Sequence, residues 1–292
     1  MKNFLPISVI ICALNEENRI KDAILSARSN NPAEIIVIEG GSTDDTFIIA
    51  EQYADKVFQV NPFNLGYKRN YGVIKASQPY ILIMDADQVI EAPQLDIMLN
   101  DLLSSDWVGI QSQLKSLINS NYWERAMEAT LNLSHGKPGE TNMIGTPALY
   151  IKDALIKENF NPSITGSCDD TDLCYRLHRK GYKFGISHAV CYQKHRSNLG
   201  DVYRKFYWYG EGDAQFARLH PERLFNIFLH PIKNYMFKKA WALFIRGNIK
   251  YAFFPFFVGF IRHCGFWRGT INSFLRHASD SRLANRHNKE GF

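Results

Sequence analysis

The segment that most constrains this chain is an apolar run, residues 80–84, that ends in two carboxylates, Asp85 and Asp87, separated by one small residue. A run of this length, with Pro79 before it and charge after it, predicts a buried parallel strand. Where a strand leaves its sheet, two neighbouring carboxylates can converge on one cation. Such oxygen ligands suit Mg²⁺ or Mn²⁺, which also bind substrate phosphate. An Asp-x-Asp triplet alone is also consistent with a helix cap or a solvated loop.

Two further strands are predicted upstream, and polar residues follow each of them. Residues 5–12 are apolar and rich in β-branched side chains, and they lead into Ala13-Leu14-Asn15-Glu16-Glu17, where Asn15 is predicted to cap a helix. Residues 34–39 form a second buried strand, closed by Gly40-Gly41-Ser42 and a helix. Strand, polar turn, helix and strand is the doubly wound pattern, in which ligands bind beyond the carboxyl ends of the strands.

The turn after the second strand has residues that suit a nucleotide. Its glycines let the backbone approach a ligand closely, and the carboxylate of Glu39 can accept hydrogen bonds from a base imide or a ribose hydroxyl. A capped turn without a ligand would use the same residues. The chain contains neither Gly-x-Gly-x-x-Gly nor Gly-x-x-x-x-Gly-Lys-Ser/Thr, which argues against dinucleotide-binding and P-loop proteins.

A basic pair opens the helix that precedes the carboxylate strand. A predicted loop at residues 61–66 leads into this helix, and Lys68 and Arg69 lie near its N-terminus. Arginine binds phosphate through two parallel hydrogen bonds, and the amides of the helix end can add to them. A solvated basic helix face is the alternative.

A second acidic centre lies far along the chain at Asp169, Asp170 and Asp172. From Asp172 onward, apolar residues at helical spacing predict an amphipathic helix that ends at Gly181, and one of the earlier aspartates can simply cap it. A transfer reaction whose first carboxylates hold a metal needs another carboxylate to take a proton from the attacking hydroxyl. A polar loop at residues 135–140 is long enough to gate such a site.

The C-terminal tail differs from the body in charge and composition. From residue 225 to residue 292 there are 11 Lys and Arg against 2 acidic residues, so the tail carries +9 and the body −4. Aromatic residues alternate with the basic ones, and no apolar stretch reaches the ~20 residues that span a bilayer. We therefore predict helices lying on an anionic membrane surface. Helices that pack on the body or dimerise are the alternative, and single-stranded nucleic acid is not expected because it would leave the carboxylates unused.

The N-terminal sequence and the cysteines indicate in which cellular compartment the protein is expected. The first residues lead into a strand without a signal peptide, and the five cysteines are scattered without a Cys-x-x-Cys pair. Both observations favour a cytoplasmic body with reduced thiols, peripheral to the inner face of the membrane.

Together these motifs resemble glycosyltransferase family 2, an inverting family with the GT-A fold. The matching segments are residues 8–17, 37–44, 69–72, 85–87 and 169–173. The resemblance covers about residues 5–215 and implies an α/β GT-A fold with a Rossmann-like, doubly wound, mostly parallel sheet. We predict a glycosyltransferase domain over residues 1–224 and a helical, membrane-associating tail over residues 225–292.

The resemblance also implies roles for individual residues. One set would border the nucleotide of the donor: Ala13, Asn15, Glu16, Glu39, Lys68, Arg69 and Asp85. The divalent cation, Mg²⁺ or Mn²⁺, would bind Asp87 and Asp85, with His195 as a further candidate. The general base would be Asp170. The acceptor region would include Gly145, Thr146, Asp169 and Arg196.

Departures from the family pattern bear on the substrate. Ala13 stands where the family often has proline, and Glu39-Gly40 where it often has an acidic pair, so base recognition can differ and UDP is not assured. Asp169 replaces the usual glutamate. The Gln-x-x-Arg-Trp signature of processive synthases is absent, which favours addition of a single sugar.

The expected reaction is inverting transfer of one sugar from a nucleotide-diphosphate sugar to a hydroxyl or phosphate acceptor in glycan or cell-envelope assembly. If the tail binds membrane, the acceptor is expected to be lipid-linked. Two alternatives remain open. A nucleotidyltransferase would release pyrophosphate, and a sugar-nucleotide-binding protein would bind without turnover.

Overall fold

The structure is a computed structural model that describes residues 4–60, 64–117, 120–133 and 136–287, with side chains described up to residue 273. Residues 61–63 and 135, which belong to the two predicted loops, lie outside the described residues. The chain divides into two compact units. The first comprises the described residues up to Thr165 and Asp169–Arg196, and the second comprises Gly166–Cys168 and the described residues from Ser197.

The first unit alternates strands with helices. Its strands are β1 (Leu5–Ala13), β2 (Pro32–Glu39), β3 (Lys56–Gln59), β4 (Tyr80–Asp85), β5 (Gln88–Val89), β6 (Gly109–Ser116), β7 (Gly139–Thr141), β8 (Ala148–Ile151) and β9 (Phe184–Gln193). Its helices are α1 (Ile20–Ser29), α2 (Thr46–Tyr53), α3 (Leu65–Lys75), α4 (Gln94–Leu103), α5 (Tyr122–Leu131), α6 (Lys152–Lys157) and α7 (Asp169–Arg179).

The strands form one sheet in the order β3-β2-β1-β4-β8-β6-β9-β5, with β7 also paired to β9. The half from β3 to β4 is parallel. In the other half β8 runs antiparallel to both β4 and β6, while β6 and β9 are parallel. The carboxyl ends of β1, β2 and β4 therefore meet at one edge, where Cys12 lies opposite Asp85 and Ala13 opposite Glu39.

The central strands are apolar on both faces because helices cover both. Ile11 and Leu82 belong to the cluster formed with α1 and α4, whereas Ile10 and Ile83 belong to the cluster formed with α3 and α7. Gly72 allows α3 to lie close to β1, since a Cβ atom there would be 2.6 Å from Ile10 Cγ2. This packing brings the first turns of α3 to the edge formed by the strand ends.

Two local predictions are wrong. Asn15 does not cap a helix, because α1 begins at Ile20 and the amides of Arg19 and Ile20 donate to the carbonyl of Glu16. Asn15 instead has φ +54, a left-handed conformation that asparagine tolerates better than most residues. Part of the second predicted loop, Gly139–Thr141, is strand β7, which pairs antiparallel with β9.

The second unit is helical in its described part. It contains α8 (Leu199–Leu219), a 3₁₀ turn (Pro221–Arg223), α9 (Leu224–His230), a π-helical segment (Pro231–Lys239), α10 (Ala240–Ile245) and α11 (Ile249–His287). Helices α8 and α11 cross closely at glycines, since a Cβ atom at Gly210 would lie 1.9 Å from Arg262 O. The Arg262 guanidinium binds both carboxylate oxygens of Asp213, at 2.6 and 2.7 Å. The predicted boundary at residue 224 falls inside this unit and stays a prediction.

No helix within the described ranges is long and apolar enough to cross a bilayer.

Candidate active site

Hydrogen bonds join the loops that follow β1 and β2 into one platform. The Asn15 amide donates to Ser42 Oγ at 2.8 Å, and the Thr43 amide donates back to Asn15 Oδ1 at 2.9 Å. The Glu16 amide donates to Thr46 Oγ1 at 2.8 Å. The left-handed backbone at Asn15 lets its main chain and side chain both face the second loop. The structure thus joins the two loops whose residues were predicted to border the nucleotide of the sugar donor.

Glu39 is fully buried at the end of β2, and its carboxylate is used within its own loop. It accepts hydrogen bonds from the Gly41 amide at 2.9 Å, the Ser42 amide at 2.6 Å and Gln59 Nε2 at 3.1 Å, and from the Ser42 hydroxyl. Burial opposes ionisation, but these hydrogen bonds outweigh it and lower the pKa of Glu39. The carboxylate holds the loop in shape and has little acceptor capacity left for a ligand.

Asp85 ends β4 and is the more exposed of the paired aspartates, with 36% of its side chain accessible. Its Oδ2 accepts a hydrogen bond from Thr146 Oγ1 at 2.6 Å. Its amide donates to Gln88 Oε1 at 2.9 Å, and Gln88 Nε2 donates to Thr146 at 3.3 Å. Thr146, which was predicted to lie near the sugar acceptor, therefore orients Asp85, which was predicted to bind the nucleotide-sugar donor.

Asp87 lies just beyond the strand and is largely buried. Its Oδ1 accepts a hydrogen bond from Gln193 Nε2 at 3.1 Å, and its carbonyl accepts from the Lys194 amide at 2.9 Å. No residue that the structure describes donates to Asp87 Oδ2. One or two carboxylates with a free oxygen are the protein ligands that Mg²⁺ uses when phosphate completes its coordination, so the pair fits a divalent cation. The described residues contain no group of three His, Cys, Asp or Glu that could bind a metal by themselves.

Arg69 connects the two acidic centres. Its side chain is 3% exposed, with Nη1 at 2.8 Å from Asp169 Oδ2 and Nη2 at 3.3 Å from Asp85 Oδ1. The guanidinium also lies over the Phe160 ring, 5.4 Å from its centroid. Its Nε is buried and has no hydrogen-bond partner among the residues described. The Arg69 guanidinium thus holds two carboxylates that are 84 residues apart in sequence, and it fixes Asp169 beside Asp85.

Asp170 lies in the first turn of α7, with Oδ1 held by hydrogen bonds and Oδ2 beside Gly145. Its Oδ1 accepts hydrogen bonds from the Thr171 amide at 2.6 Å and the Thr171 hydroxyl at 3.3 Å. A Cβ atom at Gly145 would lie 3.3 Å from Asp170 Oδ2, so the glycine keeps that side clear. Burial, and next the carboxylate of Asp169, raise the pKa of Asp170 to about 7. A carboxyl group with this pKa exchanges protons readily near neutral pH.

The remaining predicted residues lie around these centres. His195 is buried, with Nε2 at 2.7 Å from Ser116 Oγ. Arg196 Nη2 lies 3.5 Å from Glu16 Oε1, which places this predicted acceptor residue beside a predicted donor residue. Their roles toward metal and acceptor stay predictions. The predicted donor residue Lys68 places its Nζ over Gly40, where a Cβ atom would lie 2.0 Å from it.

Sequence reasoning missed the glutamines that position the aspartates. Gln193 holds the side chain of Asp87, and Gln88 binds the amide of Asp85. Gln111 Oε1 accepts from the amide of Gly145 at 2.7 Å. The only sequence signal was an amide side chain at or near a strand end, and Gln88 and Gln193 become neighbours only when β5 pairs with β9.

Comparison with known proteins decides the family. A sequence model described as glycosyl transferase family 2 matches residues 8–158, just over half of the chain. The chain belongs to glycosyltransferase family 2. The family predicted from its motifs is therefore confirmed.

A curated relative supports the same assignment over part of its length. The cholesterol galactosyltransferase of Borreliella burgdorferi is 31% identical to this family 2 chain over 148 residues. The match covers 44% of this chain and 41% of the relative, so the chain spans about two fifths of that relative's length.

Two solved structures support the predicted fold. Staphylococcus aureus TarS (residues 1–349) in complex with UDP-GlcNAc has a TM-score of 0.53 at 15% identity, over 73% of this chain and 67% of that chain. Mycobacterium tuberculosis glucosyl-3-phosphoglycerate synthase, solved with Mn²⁺, UDP and glucosyl-3-phosphoglycerate, has a TM-score of 0.53 at 19% identity, over 73% and 78%. The predicted α/β GT-A fold of this family 2 member is confirmed.

Proposed function

We propose that this family 2 protein transfers one sugar, with inversion, from a nucleotide-diphosphate sugar to an acceptor, using a divalent cation. The observation that carries the proposal is the arrangement at the sheet edge, where Arg69 binds both Asp85 and Asp169 and sets Asp170 beside them. A metal-binding carboxylate pair and a separate carboxylate of near-neutral pKa are the two functions that such a transfer needs.

The donor is assigned to the ends of β1, β2 and β4. Asp87, whose Oδ2 accepts no hydrogen bond from the residues described, and Asp85 would hold Mg²⁺ or Mn²⁺ together with diphosphate oxygens. The bound cation would offset the negative charge that develops on the departing nucleoside diphosphate. The synthase with Mn²⁺ and UDP and TarS with UDP-GlcNAc support a donor of this class.

Asp170 is assigned as the general base. Thr171 holds Oδ1, so Oδ2 on the clear side near Gly145 is the oxygen that would take a proton from an acceptor hydroxyl. Attack by that hydroxyl on the anomeric carbon, opposite the leaving diphosphate, inverts the centre in one displacement without a covalent sugar intermediate. A phosphate acceptor is already ionised near pH 7 and would not need this proton transfer. Replacement of Asp170 therefore also reports on acceptor class.

The second unit is proposed to bind the inner face of the membrane and to present a lipid-linked acceptor in glycan or cell-envelope assembly. Residues 225–273 contain seven Lys and Arg and no acidic residue. Large apolar side chains are exposed there, including Phe237 and Trp241 at 63% and Phe253 at 67%. Basic helices with exposed aromatics bind anionic lipid surfaces. The name of the Borreliella relative, a cholesterol galactosyltransferase, is consistent with a lipid acceptor.

The test of the reaction is a panel of nucleotide sugars, with Mn²⁺ or Mg²⁺ and a membrane lipid extract, monitored for released nucleoside diphosphate. Release that requires metal and lipid supports the proposal. Release of pyrophosphate would instead identify a nucleotidyltransferase. Binding of a nucleotide sugar with no release in any lipid fraction would indicate a binding protein without turnover.

The test of membrane binding is flotation with vesicles that contain anionic lipid. Substituting Phe237, Trp241 and Phe253 together by serine should move the protein from the vesicle fraction to the buffer. Ile48→Ser is the matched control, because Ile48 is 66% exposed on α2 of the first unit. Equal flotation of the triple variant and the wild type would contradict the proposed surface.

A further inference from the structure

The Lys68 side chain lies at the carboxyl edge of the sheet, and its ammonium has no anionic partner among the residues that the structure describes. Lys68 is 7% exposed and lies on α3 next to Arg69. Within the described ranges its ammonium has no hydrogen bond or ion pair, whereas Arg69 has two carboxylate partners. The stem of the side chain is buried, while the ammonium at its tip stays accessible to a ligand at the sheet edge. An acceptor supplied by a ligand would provide the missing partner.

The Lys68 ammonium lies directly over Gly40. A Cβ atom at Gly40 would lie 2.0 Å from Lys68 Nζ and 3.2 Å from Ala13 O. The ammonium therefore occupies the space over residue 40, between the ends of β1 and β2. The residue before it, Glu39, cannot offer its carboxylate there, because Gly41, Ser42 and Gln59 already donate to it. Over this loop projects a hydrogen-bond donor that has no acceptor in the described part of the chain.

The nucleoside is the part of the donor that would reach this position, an inference that rests on the proposed function. Strand β1 separates β2 from β4, so the loop of Gly40 lies about 10 Å from the β4 edge at the usual strand spacing. Asp85 and Asp87, at the end of β4, are assigned to the diphosphate and cation. A nucleotide that extends from β4 across β1 would place its base or ribose, rather than its phosphates, over β2.

We propose that Lys68 is a specificity-determining residue that recognises the base of the donor nucleotide through the carbonyl oxygen at position 4 of a pyrimidine or position 6 of a purine. Lysine has three donors and no acceptor, so a keto group at that position satisfies it, while an amino group there leaves two hydrogen-bond donors facing each other. The site therefore favours uracil over cytosine and guanine over adenine. Gly40 is part of the same base-recognition site, because any side chain at residue 40 would displace the Lys68 ammonium.

The experiment measures equilibrium binding of UDP, CDP, GDP and ADP to the full chain by calorimetry, with Mg²⁺ present. We expect the wild type to bind UDP about 10-fold or more tightly than CDP, and Lys68→Met to lower UDP affinity about 10-fold while changing CDP affinity far less, since a hydrogen bond to a charged group is lost only with the keto base. Lys68→Arg should retain most of the preference. Gly40→Ala should reproduce part of the loss of UDP affinity seen in Lys68→Met, because the added methyl group displaces the ammonium while residue 68 remains a lysine.

The controls separate the possible failures. Lys75→Met removes an exposed lysine of the same helix and should leave all four affinities unchanged. An equal loss of affinity for all four nucleotides in Lys68→Met would place the ammonium on phosphate or ribose and overturn the inference, while leaving the proposed function intact. A wild type that binds none of them would contradict the proposed function itself. Circular dichroism and Tm of each variant confirm that it is folded.

Discussion

Glu39 and Asp170 are two acidic residues at the same sheet edge, yet their pKa values shift in opposite directions. Glu39 receives hydrogen bonds from the amides of Gly41 and Ser42 and from Gln59, and its pKa is lowered. Among the described residues, Asp170 receives hydrogen bonds from its neighbour Thr171 alone, and burial, followed by the carboxylate of Asp169, raises its pKa to about 7. Burial opposes ionisation of both groups, and the donors around Glu39 outweigh it, which separates a residue that holds a loop from one that can exchange a proton.

The largest effect should come from removing the proton acceptor. Asp170→Asn should lower the transfer rate to a hydroxyl acceptor by about 10²–10⁴-fold, the contribution of a general base, while nucleotide affinity changes little. Released nucleoside diphosphate and calorimetric nucleotide binding measure the two quantities. Asp101→Asn is the control, since Asp101 binds Ser187 and His188 away from the strand ends. Near-normal turnover with a proven hydroxyl acceptor would rule out the assignment of Asp170.

The next largest effect should be a loss of folding stability when the Glu39 carboxylate is replaced. Glu39→Gln should lower the free energy of unfolding by about 1–3 kcal/mol near pH 7, because an amide group would then face buried donors that have lost their acceptor. Chemical denaturation measures the change. The same denaturation at pH 3 should show a smaller difference, because a carboxylate of lowered pKa stabilises the fold above its unfolded pKa and loses this contribution on acidification. A variant as stable as the wild type at pH 7 would mean that the loop does not depend on this carboxylate.

A smaller effect should follow from filling the space before Asp170. Gly145→Ala places a methyl group 3.3 Å from Asp170 Oδ2, and we expect a several-fold rise in the KM for acceptor with the nucleotide affinity unchanged. Steady-state kinetics with varied acceptor concentration measures it. Gly181→Ala is unsuitable as a control because residue 181 has φ +85, so Ile74→Ala, on an exposed part of α3, serves instead. An unchanged KM would show that the acceptor does not approach past Gly145.

The smallest effect is a pH dependence of stability with opposite sign to that of Glu39. The folded pKa of Asp170, about 7, exceeds the ordinary aspartate value of the unfolded chain. The folded state therefore holds the proton more tightly, and the stability it confers is present at low pH and is lost as pH rises through about 7. Asp170→Asn should gain a few degrees in Tm over the wild type at pH 8 and less at pH 5, measured by calorimetry. An equal difference at both pH values would contradict the raised pKa.

Most of the fold followed from local patterns. The apolar runs that became β1, β2 and β4 were predicted to within two residues of their ends, because side-chain periodicity reflects which faces are buried. The prediction for Asn15, whose conformation depends on distant partners, was wrong. Asn15 was predicted as a helix cap because its local sequence suits one, whereas bonds to Ser42 and Thr43 hold it in a left-handed turn.

The sequence by itself determined the doubly wound pattern, the two acidic centres, the basic aromatic tail and the family. Only the tertiary structure decided which charges meet. Arg69 and Asp169 are 100 residues apart and pair because α3 and α7 pack on the same face of the sheet. The same packing places Lys68 over Gly40, where none of the described residues gives its ammonium a carboxylate partner. Local spacing encodes the elements, whereas the partners of a buried charge depend on which distant elements pack around it, so only the folded chain fixes its electrostatics.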